Sequence, residues 1–285
     1  MLITIADGAP YGVATGADGA LWFTLVHQGA VGRLVPGGEP VVHRLDPADG
    51  GPTVIAPGPG GAMWITEFQG NRIRRITPEF EVTSYEAEAP YGIVAGPDGA
   101  MWYTSMRDKV GRITAGGERA EFAVPVEGGM PSGIAAGADG ALWFTLNQAA
   151  AVCRITTGGE VTVHPLPTEG AAPVHLTAGP DGALWFAEIG AGQIGRIDPA
   201  GEISEHPLPD RDCRPHAITT GPDGALWFTE WAACRLGRIT VDGVIREFDL
   251  PRSEPHGLTT GPDGAIWVAM ESGSLARVPP DRLAA

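Results

Sequence analysis

The chain has 285 residues, with 34 Asp and Glu against 19 Lys and Arg and a formal net charge of −15. So acidic a surface excludes nucleic acid and anionic membrane as main partners, since both would repel it. No run of about 18 apolar residues occurs, which excludes a membrane-spanning helix.

The N-terminus, Met-Leu-Ile-Thr-Ile-Ala-Asp-Gly, has no basic segment followed by a long apolar one. It therefore reads as lacking a signal peptide, and the expected location is cytoplasmic. Three cysteines, Cys153, Cys213 and Cys234, are an odd number without metal-type spacing. They read as reduced thiols, with a Cys213–Cys234 disulfide as the alternative.

Residues 2–6 form a short apolar segment ahead of a repeat. Trp22, Trp64, Trp102, Trp143, Trp185, Trp227 and Trp267 follow at spacings of 42, 38, 41, 42, 42 and 40 residues, and only Trp231 stands outside the series. Periods of this size mean a propeller or a solenoid. Ahead of six of these tryptophans lies an Asp-Gly turn, beginning with Asp18-Gly19 and ending with Asp263-Gly264; the second repeat has Gly60-Gly61 instead. Such dipeptides tolerate the positive φ of a tight hairpin. Ten or eleven residues after each Trp comes Arg33, Arg75, Arg112, Arg154, Arg196, Arg238 or Arg277. A further turn then precedes a strand, as at residues 161–164 and 203–206.

Each repeat thus holds four short strands in a meander, with no helical periodicity. The expectation is all-β: one domain over residues 1–285, a seven-bladed β-propeller of four-stranded antiparallel blades. The Trp reads as inter-blade packing and the Arg as a structural residue near the blade edge. The last repeat ends near Val278 and lacks a fourth strand, so residues 2–6 are expected to supply it and close the ring. A closed ring has few free strand edges, which makes a monomer the default.

Positions that differ between repeats are where function can reside. After the Pro that opens each innermost strand, the column reads Tyr11, Thr53, Tyr91, Ser132, Val174, His216 and His256. It should converge around the axis. Three residues after each Trp, a second column reads Leu25, Glu67, Ser105, Leu146, Glu188, Glu230 and Met270. Glu67, Glu188 and Glu230 read as fold residues bonding backbone between blades. In the last blade the acid is displaced by one position, to Glu271. Glu254 lies two residues before His256, on the same side of an extended strand. Glu254, His256 and Glu271 are therefore expected at one corner of the channel mouth. Two carboxylates beside an imidazole suit a hard cation such as Mg²⁺. The alternative is a solvated Glu254 beside a hydrogen-bonded channel histidine.

The whole chain resembles the streptogramin B lyase family, also called virginiamycin B lyases. Leu-Trp-Phe-Thr-Glu, Gly-Arg-Ile-Thr and Pro-Tyr-Gly-Ile phrases carry the resemblance, with Arg214-Pro215-His216-Ala217-Ile218, Glu254-Pro255-His256-Gly257 and Ala269-Met270-Glu271 the more specific. It implies a seven-bladed propeller and a Mg²⁺-dependent β-elimination that linearises a cyclic depsipeptide antibiotic at its threonyl ester. By the same resemblance His256 is the catalytic base, Glu254 and Glu271 are the Mg²⁺ ligands, and His216 and Tyr11 contact the small-molecule substrate. Two other readings stand beside it. One is a metal-dependent propeller lactonase or hydrolase, which would need more ligands around the axis; the other is a binding module without catalysis.

Overall fold

The structure is a computed structural model that describes all residues except 7, 252 and 280–285. Its 28 described strands form seven four-stranded antiparallel sheets, joined only by turns and one short 3₁₀ segment at Pro59–Gly61. The innermost strands begin at Pro10, Pro52, Pro90, Pro131, Pro173, Pro215 and Pro255. Each packs against the innermost strand of the next blade, and that of blade 7 (Pro255–Thr260) packs back on that of blade 1 (Pro10–Thr15). The ring is a seven-bladed β-propeller.

Ring closure follows the sequence expectation, over a shorter stretch. Leu2–Thr4 pairs antiparallel with the last described strand, Ser274–Val278, with Ile3 opposite Leu275. The N-terminal segment thus supplies the outer edge of blade 7, whose strands run Pro255–Thr260, Ile266–Met270, Ser274–Val278 and Leu2–Thr4 from the axis outward.

The seven repeat tryptophans are 0–1 % exposed and lie between blades in the apolar clusters. The Asp of each Asp-Gly turn holds its Trp in place. Its Oδ1 accepts the indole N–H at 2.9–3.3 Å, and its Oδ2 accepts the Nε–H of the repeat Arg at 2.6–2.8 Å. One carboxylate therefore ties together the hairpin, the packing ring and the following strand. Blade 2 lacks that carboxylate, and there Trp64 Nε1 and Arg75 Nε are buried without a partner among the described residues.

A second repeated device fixes the inner strands. The threonine two residues after the repeat Trp accepts an N–H from its own inner strand and donates to a carbonyl of the next blade. Thr229, for example, accepts from Ala217 N–H at 3.1 Å and donates to the His256 carbonyl at 2.8 Å. Blades 5 and 7 carry Ala187 and Ala269 at this position.

Glu67, Glu188 and Glu230 depart from the expectation of backbone bonding between blades. All three are fully buried and bond to side chains of their own blade: Glu67 to Arg72 and Arg74, Glu188 to Gln193, Glu230 to Arg235. A buried carboxylate needs a cationic or amide partner within reach, and the adjoining strand supplies it. The three cysteines are free, Cys153 and Cys213 being buried.

Candidate active site at the channel mouth

In every blade the pairing of the innermost strand with its neighbour breaks register just after the opening Pro. A bulge of this kind releases residues from the ladder and re-aims their side chains. The released positions include the first variable column, which is why it converges on the axis. Tyr11, Thr53, Tyr91, Val174 and His216 all line one narrow cavity of about 70 Å³, together with His175 and Gly257. Hydroxyls from blades 1 and 3 meet across it, Tyr11 Oη to Tyr91 Oη at 3.4 Å.

His256 stands beside this cavity and is 8 % exposed. Its ring centroid lies 4.4 Å from that of Tyr11 and 5.0 Å from that of His216, and the two histidines meet edge-on. Its Nε2 is 2.6 Å from Glu271 Oε2. Since a carboxylate oxygen accepts, Nε2 carries the proton of the neutral ring and the lone pair rests on Nδ1. Nδ1 is buried and meets no donor among the described residues.

Glu271 is reached by displacement. Met270, the regular position of the second column, is the last residue of its strand and is wholly buried. One step further, Glu271 enters the turn and keeps 22 % of its side chain exposed. Its backbone N–H donates to the Glu254 carbonyl at 3.0 Å, which fixes the two acidic residues side by side at the chain level. Glu254 is exposed, with φ of 61°. The residue before the opening Pro is left-handed in five other blades too, as Gly51, Ala89, Met130, Ala172 and Arg214, so the conformation belongs to the repeat. Only blades 6 and 7 place a charge there, Arg214 and Glu254.

The electrostatics favour neutral rings. Burial lowers the pKa of His256, partly offset by the nearby Glu271 and Glu254 carboxylates. Burial, then His256 and His175, push His216 down to about 3, and burial takes His175 to about 4. Tyr11 is held well above the usual phenol value by burial, then by Tyr91 and Glu271. At neutral pH the mouth thus presents His256, His216 and His175 as uncharged imidazoles and Tyr11 as an uncharged phenol.

Among the described residues no three or more His, Cys, Asp or Glu side chains are arranged to enclose a metal ion. What the exposed Glu254 and half-open Glu271 can hold is a hydrated, oxygen-preferring cation that keeps most of its waters, as Mg²⁺ does. They do not form a closed nitrogen–sulfur cage.

The structure brings Tyr11, His216, His256 and Glu271 together, with Glu254 at their edge. It adds groups not singled out in the sequence. His27, in the turn between the second and third strands of blade 1, places Nε2 2.6 Å from Glu271 Oε1. Trp231, the one tryptophan outside the repeat, has its ring 6.4 Å from that of His256 and its Nε1 buried without a partner among the described residues. Its irregular place was a signal; His27 belongs to neither variable column and gave none.

Comparison with known proteins places the chain in a family. The model of the family described as the Virginiamycin B lyase family matches residues 1–278. A virginiamycin B lyase of Saccharopolyspora erythraea is 67 % identical over 39 residues, 14 % of this chain and 13 % of that protein. One of Streptomyces coelicolor is 57 % identical over 42 residues, 14 % of each chain. The matched stretches thus span about a seventh of these relatives' lengths. Over the whole fold, the crystal structure of selenomethionine-substituted virginiamycin B lyase from Staphylococcus aureus superposes with a TM-score of 0.93 at 38 % identity, covering 97 % of both chains. A catalytically inactive His-to-Ala variant of that enzyme, with quinupristin, gives 0.93 at 37 % identity, again over 97 % of both.

Proposed function

Because this chain belongs to the virginiamycin B lyase family, we propose that it linearises streptogramin B-type cyclic depsipeptides by β-elimination at the threonyl ester. The observation that carries the reading is the pairing of a neutral, nearly buried His256 with Glu271 at the channel mouth, with Glu254 alongside. In a relative of the same fold, loss of one histidine accompanies loss of catalysis.

The chemistry follows from the groups. His256 takes the threonyl α-proton on the Nδ1 lone pair, which is buried in this structure and must be uncovered as the substrate binds. The C–H electrons form the double bond to the β-carbon, the bond from that carbon to the ester oxygen breaks, and the carboxylate leaves with the electron pair. Glu271, already bonded to Nε2, orients the ring and balances the imidazolium that forms, as the acidic member of a catalytic triad does. A base whose pKa lies at or below neutrality is unprotonated when the substrate arrives. His216, edge-on to His256, and Tyr11, tilted over it, form the wall against which the ring of the substrate rests. Glu254 and Glu271 would hold Mg²⁺, which supplies a Lewis acid for the enolate that develops. No attacking water is needed.

The reading is tested with a streptogramin B depsipeptide and two perturbations. His256→Ala should abolish ring opening while leaving substrate binding within a few-fold, and chelation should abolish it until Mg²⁺ is restored. Ring opening at the wild-type rate in His256→Ala removes the base; indifference to chelation removes the metal.

A further inference from the structure

We propose that His27 is a positioning residue for this reaction: its imidazole holds one oxygen of Glu271, so that the other stays on His256. The inference rests on the proposed elimination and adds a residue from the opposite side of the ring seam.

Glu271 is shared between two imidazoles. Oε2 meets His256 Nε2 at 2.6 Å and Oε1 meets His27 Nε2 at 2.6 Å. His256 belongs to blade 7 and His27 to blade 1, so the carboxylate spans the joint where the ring closes. A glutamate at the start of an open turn turns freely about its side-chain bonds. Holding Oε1 removes that freedom and fixes the direction of Oε2. The His27 side chain is 63 % exposed, so packing does not hold its ring. The turn that carries it is anchored by its neighbour, since Gln28 Oε1 accepts the Ala9 N–H at 3.3 Å on the segment leading into Tyr11. Five residues after the Trp, the other blades carry Gln69, Arg107, Gln148, Gly190, Ala232 and Ser272. A histidine at this place occurs only where it faces Glu271.

The consequence reaches the base. Two donors on one carboxylate keep His256 in the Nε2–H form, with its lone pair on Nδ1. Without His27 the carboxylate is free to swing, and the tautomer is no longer fixed.

The test uses the full chain with two variants. His27→Ala should lower kcat about tenfold, the scale of one hydrogen bond to a charged group at a partly exposed site, with KM within twofold. His27→Gln, whose amide N–H reaches the same oxygen, should restore most of it. In substrate-free, chelator-treated protein, ¹⁵N imidazole spectra should show the Nε2–H form of His256 in wild type and His27→Gln, and a tautomer mixture in His27→Ala. Unchanged kcat and unchanged His256 spectra in His27→Ala overturn the proposal. So does a loss that follows a lowered melting temperature and is not restored by Gln. A wild-type protein that opens no depsipeptide defeats the elimination reading, while the spectra still decide the role of His27.

Discussion

Blade 2 is a natural deletion of the repeat carboxylate, and restoring it should stabilise the propeller. In six blades an Asp joins the indole N–H to the repeat Arg; in blade 2 Gly60 stands there, and Trp64 Nε1 and Arg75 Nε are buried without acceptors among the described residues. A Cβ built on Gly60 would lie 3.9 Å from the Arg75 guanidinium, with nothing nearer in its way. Each buried donor left unpaired costs about 1–3 kcal/mol, so filling both gains about 2 kcal/mol at the low end. Gly60 has φ of 71°, where an L-residue costs about 1 kcal/mol and Asp is among the better tolerated. Gly60→Asp should therefore stabilise by about 1 kcal/mol, or roughly 2–4 °C in a thermal melt for a chain of this size. The reverse change, Asp223→Ala, strips acceptors from Trp227 and Arg238 and should lower the melting temperature by roughly twice as much. A melt lowered by Gly60→Asp would refute the reasoning: the turn backbone, not the missing carboxylate, would then govern this corner.

The pH dependence of stability should have two limbs. Burial alone would raise Asp18, Asp98, Asp139, Asp181, Asp223 and Asp263, but the bonds from Arg, indole and backbone N–H together outweigh it and hold each below the usual carboxylate value. Groups depressed on folding stabilise above their unfolded pKa, so stability should be lost as pH falls below about 4, and replacing one of them by Asn should shrink that acid limb in denaturant titrations. Glu188 behaves in the opposite sense: burial, only partly offset by Gln193, raises it to about 8. The folded state then holds a proton that the unfolded chain has released, so stability should fall as pH rises from the unfolded value towards 8. Glu188→Gln should flatten that slope.

The fold was legible because its determinants are local. The tryptophan spacing, the Asp-Gly turns and the missing last strand each state one blade's needs within about 40 residues, and the ring follows from their repetition. The corner formed by Glu254, His256 and Glu271 was legible for the converse reason: it breaks the repeat. Two things were not. The register break after each Pro, which turns the column inward, is a backbone feature with no residue signature beyond the Pro itself. The partner of Glu271 was also hidden, because His27 lies 244 residues away and meets it only through ring closure. Glu67, Glu188 and Glu230 were misjudged because their partners on the adjoining strand differ from blade to blade, as two Arg, a Gln and one Arg.

The most direct test of the mechanism is the mass of the product formed from a streptogramin B depsipeptide. Elimination by the His256 corner predicts a linear product of unchanged mass, ending in an unsaturated dehydrobutyrine, and none of it from His256→Ala. A linear product heavier by one water would show hydrolysis in its place, and recovery of only the intact cyclic compound would leave this channel mouth a binding site without chemistry.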